Sequence, residues 1–211
     1  MNNKKYYCSY PFSQVTTTPT GQWKLCCSSS EAYGPISDFD GEHIQNIKDT
    51  SMDQWWNGDY LNWVRKNHLE NIPIKECESC FDYERQGAES YRQRAIKELG
   101  VTSVASPYPE SLDLKLGNLC NAACLFCDPS SSSKILKEWQ EMGWDKDVPF
   151  SSGLTGEVSS SLFDVDYSWP NRPDFWETIE KYSSSLINLK FTGGEPLINP
   201  YMIKYIRFLV D

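Results

Sequence analysis

A short strand that runs into three closely spaced cysteines sets the tightest limit on how this chain can fold. Residues 112–129 read LDLKLGNLCNAACLFCDP. Leu112, Leu114 and Leu116 alternate with Asp113 and Lys115, the period of two that marks a half-buried strand. Gly117 and Asn118 then break the strand into a loop carrying Cys120, Cys124 and Cys127 in a C-x3-C-x2-C spacing. Three thiolates this close can converge on one soft metal centre, and zinc or iron would accept them. In an iron–sulfur cluster each iron takes one thiolate, so three cysteines leave one iron open for chemistry.

A second motif lies downstream. LINLKFTGGEPLINP reads as a strand, Leu186 to Phe191, running into Gly193-Gly194-Glu195-Pro196. Two glycines let the backbone approach a ligand closely, and a carboxylate suits an ammonium. Alone, such a segment is an ordinary strand-to-helix turn. Together with the cysteine loop one strand earlier, it resembles the radical SAM superfamily, whose cluster loop is C-x3-C-x-Φ-C, with Phe126 at Φ. The resemblance implies that Cys120, Cys124 and Cys127 hold a catalytic 4Fe-4S cluster whose open iron is chelated by S-adenosylmethionine. It implies that Phe126 packs near the adenine and that Gly193, Gly194 and Glu195 hold the methionine end. One electron then cleaves the sulfonium bond, and a 5′-deoxyadenosyl radical takes hydrogen from the substrate.

The first hundred residues carry the other five cysteines. Cys8, Gly21 and Cys26 are spaced C-x12-G-x4-C, with Cys27 beside Cys26, and Cys77 and Cys80 form C-x2-C. Gln14 to Thr18 and Trp23 to Cys26 read as a hairpin about the turn Pro19-Thr20-Gly21-Gln22. Neighbours on a strand face opposite ways, so one of Cys26 and Cys27 serves as a ligand. Four such thiolates suit a structural zinc equally well. The arrangement resembles the auxiliary-cluster module of SPASM and twitch domains, here placed before the barrel. That implies a second 4Fe-4S cluster on Cys8, Cys26, Cys77 and Cys80.

The 211 residues carry a net charge of −9, which disfavours nucleic acid and anionic membranes as partners. No apolar run reaches spanning length, and the opening residues lack the apolar region of a signal peptide. The expected compartment is the cytoplasm, where eight cysteines are metal ligands rather than disulfides.

The expected fold class is α/β. A small cysteine-rich α+β domain (1–100) and a Pro-containing linker (101–111) precede the start of a radical SAM partial (β/α) barrel (112–211), about two βα units. Ser51 and Gln54 suit a capping box, with a break at Asn57-Gly58-Asp59 and Asp59 as a new cap. Trp56, Tyr60, Trp63 and Val64 share a helical face that suits a core. A long charged helix is expected to about Leu99, with Cys77 and Cys80 at its start and Arg85, Arg92 and Arg94 on a solvated face among Glu84, Glu89 and Glu98. A short helix near 44–48 and an irregular insertion over 143–170 are expected. Asn199 caps a last helix, amphipathic through Ile203, Ile206 and Leu209. His43 and His68 read as ordinary surface or helix residues.

Four further βα units would need roughly 120 more residues at about 30 each. The chain therefore reads as the front of such a barrel, truncated or completed by a second chain. The implied function is a radical SAM enzyme with an electron donor and an unknown substrate, in the family often a peptide. The alternatives are a non-catalytic iron–sulfur scaffold or electron carrier, and a zinc-stabilised interaction module.

Overall fold

A computed structural model describes residues 5–30, 39, 46–144 and 165–211. The fold is mixed α/β, built on a four-stranded sheet in the order β2-β1-β3-β4. β1 (Gln14–Thr17) and β2 (Trp23–Lys24) form the expected hairpin, and Thr18 N–H donates to Gln22 O at 2.9 Å. Gly21 sits in its turn at φ +80°, with the Trp169 ring 2.9 Å from where a Cβ would stand. No larger residue fits there without a shift.

The hairpin does not stay apart from the expected barrel strands. β1 pairs in parallel with β3 (Ser111–Lys115), Val15 opposite Leu112 and Thr16 opposite Asp113. All four residues of β1 are buried. A strand covered on both faces needs a partner on each edge, so the hairpin extends the sheet that the sequence suggests has two strands. β3 is itself buried on both faces. Asp113, which the alternation places on the open side, is 3% exposed and accepts from Lys190 Nζ at 3.0 Å.

β4 (Asn188–Thr192) lies beside β3. Ile187 N–H donates to Glu110 O at 2.7 Å ahead of both strands, and Glu195 N–H donates to Leu119 O at 2.9 Å beyond both. Like ends are therefore together and the pair is parallel. The crossover contains α6 (Ser133–Glu141), capped by Ser132, and α7 (Pro173–Tyr182), whose Phe175, Ile179 and Tyr182 are buried.

The first helices follow their caps. After α1 (Tyr10–Ser13), Ser51 and Gln54 make a reciprocal capping box on α2 (Met52–Asn57). Gly58, rather than Asp59, is the N-cap of α3 (Asp59–Leu69). Trp56, Tyr60 and Val64 are core residues. The expected long helix is broken in two, α4 (Glu78–Arg85) and α5 (Tyr91–Leu99). Gly87 N–H donates to Glu84 O and Ala88 N–H to Tyr83 O, closing α4 as a Schellman motif. Ser90 with Gln93 then opens α5 with its own capping box.

In α8 (Pro200–Val210), capped by Asn199, the buried side chains are Met202 and Tyr205. Ile206 and Leu209 of the expected stripe are exposed, at 42% and 41%. At the start of α8 the Asn199 amide is tied to Leu116 O at 2.8 Å. Among the described residues no helix is long and apolar enough to cross a membrane.

By compactness the chain forms two units. One comprises residues 1–16, 23–113 and 174–190, the other 17–22, 114–173 and 191–211. Each unit interleaves segments that the expected boundaries at 100 and 111 set in sequence order. His43, residues 44 and 45 of the expected short helix, and most of the expected insertion lie outside the described residues.

His68, expected at an ordinary position, is fully buried in α3. Its Nδ1–H donates to Tyr6 O at 2.5 Å, and Nε2 has no hydrogen-bond partner among the described residues. Burial first, opposed by the Tyr6 carbonyl and aided by Arg92, lowers its pKa to about 4. The folded pKa lies below the ordinary value of about 6.5, so the stabilisation is complete above pH 6.5 and disappears as pH falls towards 4. In denaturant titrations of the apoprotein, wild type should lose about 3 kcal/mol more than His68→Gln across that window. Equal pH slopes for the two proteins would contradict this.

Candidate functional site

The second unit carries the C-x3-C-x2-C loop. Its two ends are tied by Asn118, whose amide donates to Pro129 O at 3.1 Å and whose carbonyl accepts from Ser133 N–H at 2.7 Å. Ser133 Oγ accepts from Cys120 N–H at 3.0 Å, and Ser132 Oγ donates to Ala122 O at 2.9 Å. Inside the loop, Cys127 N–H donates to Cys124 O at 3.0 Å. Cys124 is exposed, while Cys120 and Cys127 are half-buried. The Cys127 thiol is pushed up by burial first, then by Asp128, Cys120 and Cys124.

The Gly-Gly-Glu segment lies against this loop. Gly194 N–H donates to Ser131 O at 3.0 Å, and Glu195 N–H to Leu119 O at 2.9 Å. These two bonds bracket all three cysteines. Gly194 has φ +55°, and a Cβ there would stand 2.3 Å from Leu119 O. The close approach permitted by this glycine is therefore made by the cysteine loop's own backbone. Glu195 Oε1 accepts from Leu197 N–H at 3.0 Å and caps the turn Pro196–Ile198. Phe126 is 99% exposed and Leu125 90%. The sequence marks Asn118 only as a strand breaker and does not single out Ser132 or Ser133. The signal was present: short polar residues stand at both ends of the loop.

The first unit gathers the other cysteines. Cys8, Cys26, Cys77 and Cys80 line one small cavity with Tyr10, Ser28, Ser29, Glu76, Ser79 and Arg92. Cys27 is not among the lining residues. Three separate chain segments meet there. Ser79 Oγ donates to Ser28 O at 3.0 Å and Ser30 N–H to Glu76 O at 3.3 Å, joining the Cys26 turn to the start of α4. Tyr7, beside Cys8, donates its hydroxyl to Thr102 O at 2.9 Å. Cys8, Cys26 and Cys80 are buried, and burial pushes the Cys8 thiol up to about 12. Cys80 lies in the first turn of α4.

Among the described residues no group of three or more His, Cys, Asp or Glu side chains is already placed to hold a metal ion. The donor chemistry nonetheless suits a soft centre, with four thiols lining one cavity in the first unit and three on one loop in the second. Binding requires them to close in and lose their protons, Cys8 above all.

Comparison with known families bears on the first unit. Residues 8–81 match SPASM, an iron–sulfur cluster-binding domain. The span begins at Cys8 and includes Cys26, Cys77 and Cys80, and the match supports an iron–sulfur-binding role for this segment. Comparison with curated proteins and with solved structures gave no significant match.

Proposed function

We propose that this chain is a radical SAM protein, or part of one, with an auxiliary iron–sulfur cluster in the SPASM-like segment. The observation that carries the reading is the pair of hydrogen bonds from Gly194 and Glu195 to Ser131 and Leu119, which seat the Gly-Gly-Glu segment on both flanks of the cysteine loop. Cys120, Cys124 and Cys127 would hold three irons of a 4Fe-4S cluster, leaving the fourth iron for S-adenosylmethionine. Such a cluster supplies one electron for reductive cleavage of that cosubstrate. Glu195 keeps its second carboxylate oxygen for an ammonium. Cys8, Cys26, Cys77 and Cys80 would hold the second cluster. A peptide is the substrate class that the resemblance implies, with an external electron donor.

A non-catalytic scaffold or electron carrier is the second reading. The exposure of Phe126 and Leu125 favours it, because the described residues place nothing over that side of the loop. Anaerobic reconstitution followed by iron and sulfide analysis should give about eight of each per chain. Incubation with S-adenosylmethionine and dithionite should then release 5′-deoxyadenosine. A full cluster load without 5′-deoxyadenosine, even when a completing partner is supplied, would leave the scaffold reading. Uptake of zinc alone would overturn both cluster assignments.

A further inference from the structure

We infer that Arg92, paired with Glu84, is the charged brace of the four-cysteine cavity and sets the reduction potential of the cluster held there. The inference rests on the proposed cluster at Cys8, Cys26, Cys77 and Cys80. Arg92 lies beyond the residues matched to SPASM, and its sequence context suggests a solvated face. The structure buries it, at 7% exposure, and places it in the lining of the cavity with all four cysteines. Its neighbours Arg85 and Arg94 do stay exposed, in surface pairs with Glu78, Asp82 and Glu89.

The guanidinium is anchored on both sides of the site. Nη1 donates to Tyr7 O at 2.9 Å, one residue before Cys8. Nε donates to Glu84 Oε1 at 2.9 Å, and Nη2 pairs with Oε2 of the same carboxylate. Glu84 stands four residues after Cys80 on α4, one turn along the same face. Ser90 Oγ also donates to Glu84 Oε1, at 2.5 Å, which holds the carboxylate in place. The pair thus fixes the chain at Cys8 to the helix of Cys80. It also places a buried positive charge on the lining of a cavity meant for anionic sulfur. Charges act strongly across such a poorly solvated space. A cluster gains one negative charge on reduction, so the nearby cation favours the reduced form and Glu84 opposes it.

The test uses the full chain, reconstituted anaerobically, with the Cys120/Cys124/Cys127→Ala variant as background so that a single cluster is read. Iron and sulfide content is measured first, then the potential by dye-mediated redox titration followed by EPR. Arg92→Gln should shift the potential negative, and Glu84→Gln should shift it positive. Arg92→Lys should fall between wild type and Arg92→Gln. A purely structural brace would lower stability in both Gln variants without opposite shifts. If Arg92→Gln does not fold, Glu84→Gln and Arg92→Lys still decide the sign. Failure of the background protein to take up iron and sulfide would refute the cluster assignment itself. A loaded cluster with the same potential in all variants would refute the role of Arg92 alone.

Discussion

Replacing Cys120, Cys124 and Cys127 together by alanine should remove about half of the iron and sulfide, roughly four of about eight each, and abolish any 5′-deoxyadenosine formation. The two sets of cysteines lie in separate compact units, so the loss should leave the other cluster intact. The loop should survive the change. Its ends are held by Asn118, Ser132 and Ser133 through bonds that involve no sulfur, and Cys124 is exposed in any case. Replacing Cys8, Cys26, Cys77 and Cys80 should remove the other half at a larger cost in stability, because three of those side chains are buried. Cys27→Ala should keep the full load, since Cys27 does not line the cavity. Iron and sulfide counts with EPR on each variant decide the matter. A triple variant that retains all its iron would end the assignment at the loop.

Gly194→Ala should be the most damaging single substitution in the second unit. The added Cβ would stand 2.3 Å from the Leu119 carbonyl oxygen, and neither side of that contact is a flexible side-chain end. The left-handed backbone at φ +55° adds its own penalty for an L residue. Together they should cost about 2–5 kcal/mol, or force the Gly-Gly-Glu segment off the cysteine loop. Gly87→Ala is the control, with φ +77° and nothing within 4 Å of the new atom. It should lose only about 1–2 kcal/mol. Denaturant unfolding of both apoproteins measures the difference. Iron content after reconstitution then reports whether the loop still assembles. Equal losses in the two variants would mean that the carbonyl contact carries no weight.

The fold shows where local signals suffice. Ser51 with Gln54, and Asn199 before Pro200, each mark a helix start, because a cap is a contact within one turn. Gly87 was the missed stop: the charge pattern continues past it, while the backbone closes α4 there. Arg92 and Arg94 look alike in sequence, yet one is buried against Glu84 and the other is solvated. Only the partner elements decide between them. The same holds for α8, whose apolar residues surround the helix closely enough that periodicity could not choose the buried face.

From the sequence alone came the two groups of cysteines, the Gly-Gly-Glu segment, the hairpin and the caps of α2 and α8, all features of short range. The tertiary structure decided that β1 joins β3, that Cys26 rather than Cys27 lines the shared cavity, and that Gly194 makes room for the cysteine loop itself. Those outcomes depend on residues tens of positions apart meeting in space, and spacing along one segment carries no record of what will pack against it.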